Sequence, residues 1–188
     1  ALVLASFNAS YKITPEVFGL WMRLLDEAPG AVLWLLQDGG DAARNLRREA
    51  AARGVGPERL VFAPPARPAE HLERLAHADL FLDTWPCSAH TTASDALWAG
   101  LPLLTREGDT FAGRVAASLL RASGLSDLVA ADAADYLEKA RRLMADPGAL
   151  RAVRRRVAAV GTESPVFDTP TYVAELERLY ARMLGREP

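Results

Sequence analysis

The chain has 188 residues, of which 50% are hydrophobic, and its 22 basic and 24 acidic residues give a formal net charge of −2. This length and apolar content fit one compact domain, and the mixed charge excludes a broad positive surface for nucleic acid or an anionic membrane. Cys87 is the single cysteine, which excludes an internal disulfide and a cysteine-based zinc site. We expect this thiol to be buried and inert. We also expect a cytoplasmic protein, because no apolar run reaches the roughly 20 residues of a bilayer span.

Six short apolar runs alternate with helical patterns in the first two thirds of the chain. A helix opens at Thr14-Pro15, and the pattern DAARNLRREAAARG closes another at Gly54. Runs that are apolar on both faces predict a parallel sheet covered by helices on both sides. The predicted fold class is therefore α/β, a doubly wound, Rossmann-like sheet. The runs are LVLASF (2–7), AVLWLL (31–36), RLVFAP (59–64), LFLDT (80–84), LPLLT (101–105) and DLVAA (127–131).

The last third of the chain is predicted to be helical. Two helices are separated at Asp146-Pro147-Gly148, and TPTYVAELERLYARMLG supplies a final amphipathic helix. Its apolar stripe either packs within this domain or faces another part of a longer protein. We expect a single domain over residues 1–188, with a closing segment from about residue 160. The stripe comprises Tyr172, Leu176, Leu179, Tyr180 and Met183.

Two loops are expected to border the ligand crevice. If the strand order is 3-2-1-4-5-6, the loops NASYK (8–12) and WPCSAHTT (85–92) flank the point where the order reverses, which is where open parallel sheets bind ligands. Lys12 is one of only two lysines, and its compact ammonium just past a strand suits a diphosphate. The alternative is a solvated loop lysine.

The helix after the second loop carries its polar residues at its start. Thr91, Thr92 and Asp95 share one face, and the free amides of a helix N-terminus favour phosphate. No Lys or Arg occurs between residues 75 and 105, so an anion there would depend on amides, hydroxyls and His90. The alternative is that Thr91 or Thr92 caps a buried helix and Asp95 improves its dipole.

The segment after the third strand offers groups for a planar base. His71, Arg74 and PPARP (64–68) could stack on a base and contact it through the backbone. A solvated helix face is the alternative.

Four segments together resemble a known family. They are SFNASYKITPEVFGLWMRLL (6–25), LDTWPCSAHTTASDALWAGLPLLT (82–105), GRVAASLL (113–120) and SPVFDTPTYVAELERLYARM (164–183). The chain is similar to the C-terminal catalytic half of bacterial-type O-linked N-acetylglucosamine transferases, which are inverting glycosyltransferases of GT-B architecture. The resemblance implies a second Rossmann-like half for the acceptor, and in many members N-terminal helical repeats, neither of which lies within these 188 residues.

The resemblance also implies roles for residues around a UDP-sugar. Lys12 faces the donor diphosphate and supports its departure, which makes it the catalytic residue of this half. The sequence His90-Thr91-Thr92 holds phosphate at a helix start, and Asp95 binds the ribose hydroxyls.

Further contacts are implied at the base. Ala66 meets uracil through its backbone, and His71 and Arg74 lie around the ring. Two positions depart from the family pattern: Ala9 replaces an amide side chain, and Pro68 replaces a ribose-associated lysine. Arg67, one residue earlier, either substitutes for that lysine or points elsewhere.

The expected reaction is the transfer of GlcNAc from UDP-GlcNAc to Ser or Thr of a protein or peptide, with no cofactor and no metal. His90 favours UDP, because the related GDP-fucose-dependent branch has a Gly at this position. Two alternatives stay open: another GT-B transferase with a different sugar or nucleotide, and a non-catalytic nucleotide-sugar-binding module. The general base is expected in the acceptor half or along a water path.

Overall fold

The computed structural model describes residues 1–185, apart from the side chains of residues 162 and 163. Its centre is a six-stranded parallel sheet in the order β3-β2-β1-β4-β5-β6, which confirms the predicted order. All six apolar runs form strands. They are β1 (Val3–Ser6), β2 (Val32–Leu36), β3 (Leu60–Ala63), β4 (Leu80–Leu82), β5 (Leu103–Arg106) and β6 (Val129–Ala130).

Helices connect the strands and complete the chain. Thr14 accepts a hydrogen bond from the N–H of Val17 and begins the first helix, as Thr14-Pro15 predicted. Asp146 ends one helix and caps the next through the N–H groups of Gly148 and Ala149. The helices are α1 (Pro15–Glu27), α2 (Ala42–Ala52), α3 (Pro68–Leu75), α4 (Thr91–Trp98), α5 (Phe111–Ala122), α6 (Ala133–Ala145), α7 (Pro147–Glu163) and α8 (Thr169–Met183).

The core lies on both faces of the sheet. Leu4, Leu33, Leu80 and Leu104 are fully buried in four different strands, and Trp21 of α1 is fully buried against them. Burying an aliphatic side chain contributes about 1.5–3 kcal/mol. Apolar strands therefore form this doubly covered sheet because both of their faces exclude water.

The sheet reverses its order between β1 and β4. Leu4 pairs with Leu80 and Ala5 with Phe81 in parallel register. Both strands end at the same edge, so the loops that follow them, residues 7–14 and 83–90, lie side by side.

The C-terminal helices differ in burial. The α7 helix packs on α4 and α6 through Val153, Val157 and Val160. In contrast, α8 has no buried residue: Tyr172 is 62% exposed, Tyr180 56% and Met183 82%. Packing of the α8 stripe into the core of this domain is therefore wrong, because the sheet is already covered by α1 and α4 to α7.

None of the helices described in residues 1–185 combines the length and the apolar character that a bilayer-spanning segment requires. The end of the expected closing segment, residues 186–188, lies outside the described residues.

Candidate functional site

Lys12 joins the two loops of the crevice. It ends a short 3₁₀ turn over Ser10–Lys12, and its Nζ donates a hydrogen bond of 2.9 Å to the carbonyl oxygen of Ser88. The lysine is half-buried, so the alternative of a freely solvated lysine is wrong. The ammonium after β1 and the turn that begins α4 therefore lie at the same edge of the sheet.

The start of α4 carries free backbone donors. Among the described residues, the N–H groups of His90, Thr91 and Thr92 have no protein acceptor. The preceding N–H, of Ala89, donates to the buried carboxylate of Asp83 at 2.7 Å. Three adjacent amides at a helix N-terminus attract an anion through their partial positive charge.

The two threonines of this turn differ. Thr91 is exposed, and its hydroxyl has no protein partner within residues 1–185. The Thr92 hydroxyl donates a 2.6 Å hydrogen bond to Oδ1 of Asn8 across the crevice. The alternative in which Thr91 or Thr92 caps the helix is wrong, because the N-cap residue is His90, which makes no side-chain cap.

The imidazole of His90 is held by the first turn of α5. Its Nε2 lies 3.1 Å from the carbonyl oxygen of Ala112, and its ring stands edge-on to Phe111. A carbonyl only accepts, so Nε2 is the donor of this contact. Ser88 donates to the same carbonyl through its N–H and its hydroxyl, at 2.9 and 2.8 Å.

His71, Arg74 and Asp95 form a second cluster at the same edge. Arg74 donates through Nε to Nδ1 of His71 at 2.9 Å, and Nε2 of His71 lies 3.8 Å from Asp95. Burial, and next the Arg74 charge, lower the pKa of His71, while burial raises the pKa of Asp95. A neutral His71 with its proton on Nε2 fits both contacts. The solvated-face alternative is wrong here, since only 15% of the His71 side chain is exposed.

Phe7 supports this cluster from below. It is 2% exposed, its ring stands edge-on to His71, and the Arg74 guanidinium lies 4.5 Å from the ring centre. Arg74 also donates to the carbonyl of Pro64 at 2.7 Å. The loop before α3 is therefore fixed beside the cluster.

Ala66 and Arg67 occupy that loop in different ways. Ala66 is exposed, and its N–H has no acceptor among residues 1–185, so it is available to a ligand. Arg67 is 83% exposed and pairs with Glu70 at 2.6 Å. The structure therefore does not bring the Arg67 side chain to the cluster, because its own helix turn supplies a closer carboxylate. Pro68 is the first residue of α3.

Sequence reasoning missed the buried polar network beneath the crevice. Asp83 is fully buried and accepts hydrogen bonds from Asn8, Thr84, Ala89 and Thr105. Burial raises the pKa of Asp83, and these donors oppose the change. The available signal was the carboxylate in LFLDT, because a charge directly after a buried strand needs partners.

Cys87 is half-buried rather than buried, and it is a free thiol. Among the described residues, no group of three or more His, Cys, Asp or Glu side chains is arranged to hold a metal ion.

Comparison with known proteins identifies relatives over nearly the whole chain. A probable UDP-N-acetylglucosamine–peptide N-acetylglucosaminyltransferase of Arabidopsis thaliana is 38% identical over 182 residues, which are 96% of this chain and 19% of the relative. The enzyme of that name from Caenorhabditis elegans is 37% identical over 186 residues, 99% of this chain and 16% of the relative. The chain thus spans less than a fifth of these curated relatives.

A solved structure matches the fold. A mutant of the Thermobaculum terrenum O-GlcNAc transferase superposes with a TM-score of 0.87 at 36% identity, covering 97% of this chain and 36% of that one. The six-stranded Rossmann-like sheet with its flanking helices matches the GT-B glycosyltransferase fold. A sequence model of glycosyl transferase family 41 matches residues 1–176. The chain therefore belongs to glycosyl transferase family 41.

Proposed function

We propose that this chain is the donor-binding half of an inverting protein O-GlcNAc transferase, which moves GlcNAc from UDP-GlcNAc to Ser or Thr hydroxyls. The observation that carries the proposal is the contact of Lys12 with Ser88, two residues before three free amides. This contact brings a cation to the loop that leads directly into the three N–H donors. The names of the curated relatives and of the solved structure support the same donor.

The diphosphate is assigned to the Lys12 side of the crevice. The acceptor hydroxyl attacks the anomeric carbon, the bond from that carbon to the diphosphate oxygen breaks, and UDP leaves with the electron pair. Negative charge grows on the leaving diphosphate, so Lys12 and the amides of His90, Thr91 and Thr92 stabilise the transition state more than the bound donor.

The uridine is assigned to the second cluster. Asp95 accepts hydrogen bonds from the ribose hydroxyls, and the exposed backbone of Ala66 contacts the uracil edge. His71 and Arg74 pack around the base, and both are positioned by their contacts with Phe7 and with each other. The Arg67 side chain is assigned no donor contact, because it pairs with Glu70.

The proton of the acceptor hydroxyl leaves through another part of the protein. His90 is a poor base in this proposal, because its ring adjoins the turn that is assigned to phosphate. We assign the base to the acceptor half or to a water path. The reaction needs no metal or cofactor in this proposal, since Lys12 and the amides supply the positive charge; activity that survives excess chelator supports this point.

The proposal also covers the binding partners and the cellular location of the protein. Its partners are an acceptor protein or peptide, an acceptor-binding half and, in the parent protein, helical repeats. We propose a cytoplasmic location on the basis of the single free cysteine, and cell fractionation with an antibody against this domain tests it.

Calorimetric titration of the chain with UDP, GDP and UDP-GlcNAc tests the donor assignment. We expect UDP and UDP-GlcNAc to bind and GDP to bind more weakly. Preference for GDP would favour another GT-B transferase, and UDP binding without turnover in the parent protein would favour the non-catalytic module. The replacements at Ala9 and Pro68 make that second outcome worth measuring.

A substitution of Asp95 tests its proposed contact with the ribose hydroxyls. Asp95→Ala is expected to lower the affinities for UDP and for uridine by about tenfold each, because both ligands carry the ribose diol. Asp26→Asn is the control, since Asp26 is exposed near the far end of α1. Unchanged uridine affinity in Asp95→Ala would contradict the assignment.

A further inference from the structure

Asn8 connects the two walls of the crevice. It lies two residues after the end of β1, is 2% exposed, and contacts three residues from the other wall. Its Nδ2 donates to Oδ1 of Asp83 at 3.0 Å and to Oγ1 of Thr84 at 2.9 Å, and its Oδ1 accepts from Thr92 at 2.6 Å. None of these contacts involves neighbours in sequence.

The orientation of this amide is fixed by its partners. The Asp83 carboxylate can only accept hydrogen bonds. The Thr84 hydroxyl donates its proton to the carbonyl oxygen of Cys87 at 2.8 Å, so toward Asn8 it can only accept. Both sites therefore require the NH₂ side of Asn8. Its oxygen must then face Thr92, whose hydroxyl proton is directed toward it.

The same network fixes the residues on either side of the free amides. Asp83 holds the N–H of Ala89, the residue before His90, at 2.7 Å, while Asn8 holds the side chain of Thr92. The N–H groups of His90, Thr91 and Thr92 lie between these two anchor points. Displacing either anchor would change where the three amides point.

We propose that Asn8 is a positioning residue for diphosphate recognition: its amide aligns the turn at the start of α4 with the β1 wall that carries Lys12. This inference rests on the proposed UDP-binding function. Asn8 does not touch the diphosphate in this account; it acts through Thr92 and Asp83. The Thr91 hydroxyl, which has no protein partner among the described residues, is the one free to donate to phosphate.

The test compares UDP with uridine, which lacks the phosphates. Asn8→Ala is expected to lower the affinity for UDP about tenfold or more. It should leave the affinity for uridine within about twofold of wild type, because only the phosphate turn is displaced. Thr92→Val, which keeps the side-chain shape but has no hydroxyl, should do the same. Thr92→Ser should retain wild-type UDP affinity, since it restores the donor.

A double-mutant cycle separates coupling from simple loss of contacts. The double variant Asn8→Ala with Thr92→Val should bind UDP no more weakly than the weaker of the two single variants, because both variants remove the same Asn8–Thr92 hydrogen bond. Asn8→Ala combined with Thr91→Val should be additive, because Thr91 does not contact Asn8. Asn45→Ala, at the only other asparagine, is the matched control and should bind as wild type.

Two results would overturn the inference. One is an equal loss of affinity for uridine and for UDP in Asn8→Ala, and the other is additive effects of Asn8→Ala and Thr92→Val on the free energy of UDP binding. The milder Thr92→Ser and Thr92→Val pair decides the case if Asn8→Ala unfolds. If the unmodified chain binds no UDP, the proposed function fails, and this inference fails with it. UDP binding with additive effects refutes only the inference.

Discussion

Lys12 and Ser88 are 76 positions apart, yet one hydrogen bond joins them across the crevice. In the parent protein, Lys12→Ala is expected to lower the rate of transfer by about 10²–10³, as removal of one preorganised donor typically does. UDP affinity should fall much less, because the leaving diphosphate carries more charge than the bound donor. Single-turnover kinetics and calorimetry on the same variant measure the two effects.

Lys139 provides the matched control for this prediction. It is the only other lysine, and it pairs with Asp135 on α6 at 3.1 Å, away from the two crevice loops. Lys139→Ala should leave transfer and UDP affinity unchanged. An equal transfer rate in Lys12→Ala and wild type would reject the catalytic assignment.

The ionisation of Asp83 links the buried network to folding. Burial raises its pKa in the folded state above the ordinary value of 3.8, so folding favours the protonated carboxyl. The stability from this group is complete below pH 3.8 and is lost as pH rises through the folded pKa. Asp83→Asn does not titrate. The unfolding free energy of Asp83→Asn relative to wild type should therefore rise with pH over this window and then level off.

Urea unfolding of both proteins at a series of pH values measures this difference. All other titrating groups are shared, so their contributions largely cancel. A relative stability of Asp83→Asn that falls with increasing pH would show that the four hydrogen bonds outweigh burial and lower the pKa instead.

The packing of α5 against the loop that precedes α4 depends on Gly113. A Cβ at Gly113 would lie 2.8 Å from the carbonyl oxygen of Pro86 and 3.1 Å from Cα of Gly108, both backbone atoms. Gly113→Ala should therefore destabilise the protein by about 1–3 kcal/mol, because backbone must move. UDP affinity should also fall, since Pro86 belongs to the loop that contains Ser88.

Gly19 in α1 is the matched comparison. A Cβ there has no neighbour within 4 Å, so Gly19→Ala should stabilise the helix by about 0.5–1 kcal/mol without changing UDP affinity. Denaturant unfolding measures both changes. A Gly113→Ala protein as stable as wild type would mean that α5 can move away from the loop at little cost.

Local patterns were sufficient to predict the architecture of the chain. Six apolar runs predict the strands and their burial, and the signals at Thr14-Pro15 and Asp146-Pro147 predict the start of α1 and the boundary between α6 and α7. The strand order placed Lys12 and His90 at one edge because parallel strands end together. These predictions depend on periodicity and capping, which short segments encode by themselves.

The contacts within the site depend on long-range geometry that such patterns do not encode. Asn8 meets Asp83 and Thr92 from more than 70 positions away. Arg67 was expected near the ribose, but Glu70 lies one turn further along its helix and binds it first. The family resemblance indicates which residue types matter, but the partners of each side chain are visible only in the folded structure.

The last helix, α8, is expected to contribute little to the stability of the domain. Its stripe is largely exposed, with Met183 82% accessible, whereas Leu120 of α5 is fully buried. Met183→Ser should change the unfolding free energy by less than about 0.5 kcal/mol, the usual range for surface substitutions. Leu120→Ala should cost about 2–5 kcal/mol, because it leaves a cavity in the core. Urea unfolding of the two variants compares them directly, and a loss above about 1 kcal/mol in Met183→Ser would mean that the stripe packs on this domain after all.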